Sequence, residues 1–76
     1  MSYLNVRVVD DDRPVRGVKV TIAIQHSMMP DTYLDEFTDD DGTAYFDFAD
    51  AVSASVRVRE KRLDHVALDG QVTVSI

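Results

Sequence analysis

Seventy-six residues with fourteen Asp and Glu against eight Lys and Arg leave a formal net charge of −6 and room for one domain, 1–76. That balance sets the chain against the phosphate surface of nucleic acid and the anionic face of a membrane, and no stretch approaches the ~20 apolar residues that a membrane span requires. The absence of cysteine removes disulfide staples, thiolate metal sites and thiol nucleophiles together, so the core must hold the fold unaided or with a partner.

Along the chain the dominant pattern is period-two alternation of apolar and polar residues, the mark of strands with one face buried and one in water. In "YLNVRVVD", Leu4, Val6 and Val8 share one face while Asn5 and Arg7 share the other. "DDRPVRG" then reads as a turn with a short extended bridge, because Pro14 lacks a ladder donor and Gly17 readily adopts positive φ. "VKVTIAIQ" is the clearest strand, with Val18, Val20, Ile22 and Ile24 pointing one way. Pro30 marks "HSMMPDT" as a connection, whose Met28, Met29 and Tyr33 form either an adaptable contact patch or a lid on the core.

"YLDEF" is a third strand of ambiguous facing, in which Leu34 or the pair Tyr33 and Phe37 points inward; a bulge would reconcile the two. "TAYFDF" carries Ala44, Phe46 and Phe48 on one face. "ADAVSAS" leads into "SVRVRE" as a fifth strand, a helix through residues 48–58 being the weaker alternative. After "KRLD", the segments "HVAL" and "QVTVSI" read as two strands joined by a short hairpin at Asp69 and Gly70.

About seven short strands at this spacing indicate an antiparallel β-sandwich or barrel. If direction alternates, the turns at residues 10–17, 39–42 and 60–64 share one end. The connections at 26–32 and 49–54, with Asp69 and Gly70, share the other.

"TDDDG" is first of all a turn: Asp caps its own backbone and Gly supplies positive φ. The functional alternative is a calcium site built from Asp10, Asp12, Asp39 and Asp41, which the alternation of directions brings to one end. "DDDG" lacks the ligand spacing and distal Glu of a dedicated calcium loop. His26 and His65 are too few for a zinc site, and Ser27 beside His26 is not a triad. Arg57, Arg59, Lys61 and Arg62 form a basic stripe in an acidic chain, either solvated or facing an acidic partner. Tyr3, Tyr33 and Tyr45 keep a carbohydrate-binding reading open in a chain without Trp.

The run "PVRGVKVTI", then "TDDDGTAYFDF", "VRVRE" and a closing "GQVTVSI", resembles the carboxypeptidase regulatory-like domain, a transthyretin-like (prealbumin-like) β-sandwich related in plan to the Cna B-type adhesin repeats. The similarity covers nearly the whole chain through short motifs, with Arg13 standing where a glycine is common. It implies an all-β, Greek-key, immunoglobulin-like sandwich and a non-catalytic structural or protein-interaction module. The isopeptide chemistry of the adhesins is not implied here: the first strand has no Lys, the last has no Asn, and Glu60 stands without reacting partners. Nor does the chain carry the C-terminal Tyr-Arg-Gly-Ser of the hydroxyisourate hydrolases, which leaves that transthyretin-like branch the disfavoured alternative.

The expected partners are a protein ligand, or a second copy through unprotected edge strands. No cofactor is expected beyond calcium. The N-terminal stretch has no basic region followed by a long apolar run. The resemblance implies a surface or secreted location if the chain was excised from a longer protein; a cytoplasmic one is expected if it is the whole chain.

Overall fold

The computed structural model describes residues 1–49 and 51–76, so Asp50, within the connection expected at 49–54, lies outside the described residues. Among the described residues there is no helix. The chain runs as eight strands, β1 (Ser2–Asp10), β2 (Arg13–Pro14), β3 (Lys19–Gln25), β4 (Thr32–Phe37), β5 (Thr43–Phe48), β6 (Ser53–Val58), β7 (Lys61–Val66) and β8 (Gly70–Ser75). They form two four-stranded sheets enclosing one core, a β-sandwich. The first holds β1 with β2, β5 and β8; the second has the order β4-β3-β6-β7.

Val8 fixes the geometry of the first sheet. Its N–H donates to the Gly42 carbonyl at 2.7 Å, and its carbonyl accepts the Val15 N–H at 3.0 Å. Both groups of one strand residue point the same way, so the start of β5 and the end of β2 meet end to end along one edge of β1. The opposite edge carries β8, whose following residue Ile76 donates to the Val9 carbonyl. Val15, Gly17 and Val18 are tied in turn to Thr38. The Thr38 hydroxyl donates to the Val15 carbonyl at 2.6 Å and accepts the Val18 N–H at 2.9 Å, while its carbonyl accepts from Gly17. Thr38 is buried, and these bonds lace the turns at 10–17 and 39–42 into one end of the sandwich.

The period-two pattern fills the core as the sequence indicates. Leu4, Val6 and Val8 from β1 meet Val20, Ile22 and Ile24 from β3, with Phe46 and Phe48 from β5 and Val56 and Val58 from β6. Each fully buried Val, Leu or Ile contributes roughly 1.5–3 kcal/mol relative to exposure. No buried side-chain polar atom among the described residues lacks a partner.

Several expectations are corrected. There are eight strands, because the bridge after Asp12 pairs Pro14 with Val9 and Arg13 with Asp10. The sandwich is not wholly antiparallel: β8 runs parallel to β1 over Leu4–Val9, since an even number of reversals leaves the first and last long strands pointing the same way. Asp69 and Gly70 make no hairpin. Asp69 adopts positive φ (59°) in a crossover from β7, in the second sheet, to β8, in the first. It is anchored by its N–H donating to the Tyr3 carbonyl and its carboxylate accepting the Tyr3 N–H.

The hairpin lies instead between β6 and β7, where Arg59 at φ 52° turns the chain, so "KRLD" is strand rather than the turn expected at 60–64. β4 carries no bulge: its register with β3 is unbroken, Leu34 packs on the core, and Tyr33 and Phe37 point out. The bulge falls at His65 (φ 56°), where Asp64 and His65 oppose Ser55. Residues 53–58 are strand, not helix.

Gly42 is the tightest point of this construction. At φ 73°, a Cβ there would stand 2.8 Å from Pro14 Cβ and 2.9 Å from both the Val15 nitrogen and the Val8 oxygen. Gly42→Ala therefore combines left-handed backbone strain of roughly 1–2 kcal/mol with displacement of two backbone strands. A destabilisation of at least about 2 kcal/mol is expected from urea unfolding; a loss below about 0.5 kcal/mol would show that the junction yields freely.

Candidate functional site

The aspartate-rich end is built first by its turn. The Asp39 carboxylate accepts the Asp41 N–H at 2.9 Å and the Thr43 N–H at 3.1 Å, while the Gly42 N–H closes onto the Asp39 carbonyl. Asp40 leaves the turn to pair with Arg16 at 3.0 Å, both side chains largely in water. Asp10 ends β1, and Asp11 and Asp12 follow at φ 51° and 65° in the tight connection to β2. The topology brings both aspartate runs to one end, yet among the described residues no three Asp, Glu, His or Cys side chains converge closely enough to hold a metal. The Asp39 side chain serves the backbone.

The histidines and tyrosines are dispersed. His26 Nε2 lies 3.0 Å from the Thr32 hydroxyl across the β3–β4 connection, and His65 is exposed on the β7 bulge. Met28, 94% exposed, stands in water rather than lidding the core. Tyr3 and Tyr45 lie on the outer face of the first sheet opposite Asp47 and Asn5, and Tyr33 on the outer face of the second.

That outer face of the second sheet assembles residues which the sequence scatters. On the edge strand β4, Tyr33 and Phe37 project outward, 68% and 63% exposed. Next to them β3 presents small side chains, Ala23 opposite Tyr33 and Thr21 opposite Asp35. Beyond β3, Ser55 pairs with Ala23 and Arg57 with Thr21, and Arg57 stands directly across from Arg62 on β7. Two adjoining depressions of about 560 and 310 Å³ run along this face, sharing Thr21 and Arg57. Together they form an open groove, with an aromatic wall on β4, a β3 floor that is small at Thr21 and Ala23 with Lys19 and Gln25 towards its ends, and an arginine wall on β6 and β7. Arg59 stands at its upper end and Asp31 at its lower end.

The electrostatics of the groove are uneven. Asp35 is held by the Thr21 hydroxyl at 2.6 Å and approached by Lys19 at 3.9 Å, and Arg62 by Asp64 at 2.8 Å. Among the described residues neither Arg57 nor Arg59 has a carboxylate partner. Like charges placed directly opposite in a ladder destabilise it, and Arg57 across from Arg62 is such a pair. The basic stripe and the exposed Tyr33 are both visible in the sequence. Their union into one groove needs the strand order β4-β3-β6-β7, which no local pattern encodes.

The chain matches no protein-family model, and no curated protein or solved structure matches it.

Two substitutions separate these features. Asp39→Ala removes the acceptor for two turn N–H groups and is expected to cost about 1–2 kcal/mol, equally in EDTA and in millimolar calcium; a cost that grows with calcium would establish the aspartates as a metal site. Arg57→Gln removes the cross-strand repulsion and is expected to stabilise the protein by about 0.2–1 kcal/mol, or roughly 1–8 °C in melting temperature. A lower melting temperature would mean that Arg57 supports the unliganded fold.

Proposed function

We propose that this chain is a non-catalytic interaction module that binds a partner along the outer face of its second sheet. One observation carries the reading: two unpaired arginines stand across β3 from two exposed aromatic rings, over a floor that is small at Thr21 and Ala23 and carries a further cation at Lys19, on a protein otherwise dominated by carboxylates. Exposed aromatic and arginine side chains are the residue types in which binding energy concentrates at interfaces. A solvated face gains nothing from leaving Arg57 opposite Arg62, so the arrangement sacrifices local stability without an evident structural return.

The resemblance to carboxypeptidase regulatory-like and transthyretin-like domains agrees with this role. Support for a Greek-key arrangement comes from the path of the chain: β4 and β6 flank β3, while β5, between them in sequence, lies in the other sheet. The non-catalytic reading is supported by the separation of the chemistry-bearing side chains. His26 is bonded to Thr32 across the β3–β4 connection, whereas His65 stands on the β7 bulge.

Panning a random-peptide library against the folded domain, then mapping the enriched peptides by amide chemical shifts, tests the reading. The shifts are expected to centre on Thr21, Ala23, Ser55 and Arg57. Enriched peptides that map to the aspartate-rich end or to the first sheet would refute it, as would turnover of 5-hydroxyisourate by the purified protein.

A further inference from the structure

We infer that the groove takes a short, extended peptide in which acidic and apolar residues alternate, an inference that rests on reading this face as the binding surface. Three features of the groove define that ligand.

Its direction comes first. The two depressions follow the seven residues of β3, so the groove is roughly 20 Å long and parallel to the strands. The walls on β4 and β6 flank β3 at neighbouring-strand spacing, so their backbones stand about 10 Å apart. An extended chain laid edge-on in that space sends successive side chains to opposite walls, because its side-chain period is two.

The two walls differ in chemistry, and this sets the alternation. The arginine wall offers unpaired guanidinium groups at Arg57, on β6, and at Arg59, in the turn that follows it, so the ligand's carboxylates belong on this side of the groove, towards its upper end. Guanidinium binds carboxylate in a planar, two-bond fork. The opposite wall offers the rings of Tyr33 and Phe37, which bury apolar side chains rather than charged ones. Thr21, Ala23 and Ser55 leave the middle of the floor low enough for a backbone to approach, and Lys19 towards the upper end adds a cation to the arginine side.

The surroundings bound its length. Asp31 closes the lower end of the groove, and the aspartate turns at residues 10–12 and 39–41 lie beyond the upper end, where β1 and β4 finish. A long polyanion would run into one or both, whereas acids confined to the middle of the groove meet Arg57 and Arg59. Asp35 and Asp64 do not oppose this charge: the first is approached by Lys19 and bonded to Thr21, and the second is paired with Arg62.

The test titrates the protein with three probes: a fluorescent seven-residue peptide alternating Glu and Phe, a peptide of the same composition with its acids in one block, and polygalacturonate. The alternating peptide is expected to bind at least tenfold more tightly than the blocked one and to shift the Thr21, Ala23 and Arg57 amides. Its affinity should fall at least tenfold in Arg57→Glu/Arg59→Glu and with salt raised to 0.5 M. Phe37→Ala should weaken it several-fold while leaving the salt dependence intact. Both changes are at exposed positions, and the melting curve of each variant confirms its fold.

Equal affinity for the two peptides would overturn the alternation. Tighter binding of polygalacturonate in the same groove would replace the peptide by an acidic glycan while keeping the face. Concentration-dependent self-assembly that Arg57→Glu/Arg59→Glu abolishes would make the occupant a second copy of this chain. Shifts confined to other faces, or no binding at millimolar peptide, would reject both the ligand and the face.

Discussion

The fold depends on how closely the chain approaches itself at Gly42. Strand β1 has one edge to share between two partners, and Val8 serves both, giving its N–H to Gly42 and its carbonyl to Val15. That is geometrically possible only because nothing projects from Gly42 towards Pro14, Val15 and the Val8 oxygen. From this junction the backbone of 39–42 is held by the Asp39 carboxylate, and Thr38 carries the connection to Gly17 and Val18 at the head of β3. The two sheets are therefore registered at one end by hydrogen bonds and along their length by apolar packing. A domain of this size buries only about 60% of its unfolded surface, so such fixed polar anchors carry a large share of its conformational specificity.

Much of this was legible in the sequence where a side-chain pattern and a backbone requirement coincide. Val18, Val20, Ile22 and Ile24 alternate without interruption and form the buried face of β3; Ala44, Phe46 and Phe48 do the same in β5. The turn at "DDDG" was legible because Asp and Gly there have local jobs. What escaped was decided by distant partners. Asp69 and Gly70 look like a hairpin because Asp tolerates positive φ, but that conformation also suits a crossover, and the choice belongs to the pairing of β8 with β1. The β6–β7 turn was expected but placed late, at 60–64, because it uses Arg59 and Glu60 and no glycine marks it.

The candidate site shows the same division. Arg57, Arg59 and Arg62 are recognisable as a stripe, and their alternation with Val56 and Val58 already turns two of them away from the core. The ambiguity over Tyr33 and Phe37 dissolves once Leu34 is seen against the core. That these two features face one another over Thr21 and Ala23 is a property of sheet order alone. The aspartate runs illustrate the reverse case. Sequence and topology agree in placing them at one end, and side-chain geometry then commits Asp39 to its own turn and Asp40 to Arg16.

Leaving Arg57 opposite Arg62 also shapes the energetics of whatever enters the groove. In the free protein the two guanidinium groups repel, only one of them is neutralised, and Asp64 is its partner. A carboxylate at Arg57, as the proposed ligand carries, would relieve that repulsion as well as forming its own bonds. A neutral ligand gains contact with Tyr33 and Phe37 but leaves the repulsion in place. The net charge of −6 acts in the opposite sense on approach, repelling every anion until it reaches the arginines. For an acidic ligand of the kind proposed, attraction would then be short-ranged and tied to position, set by where its carboxylates fall rather than by how many it carries.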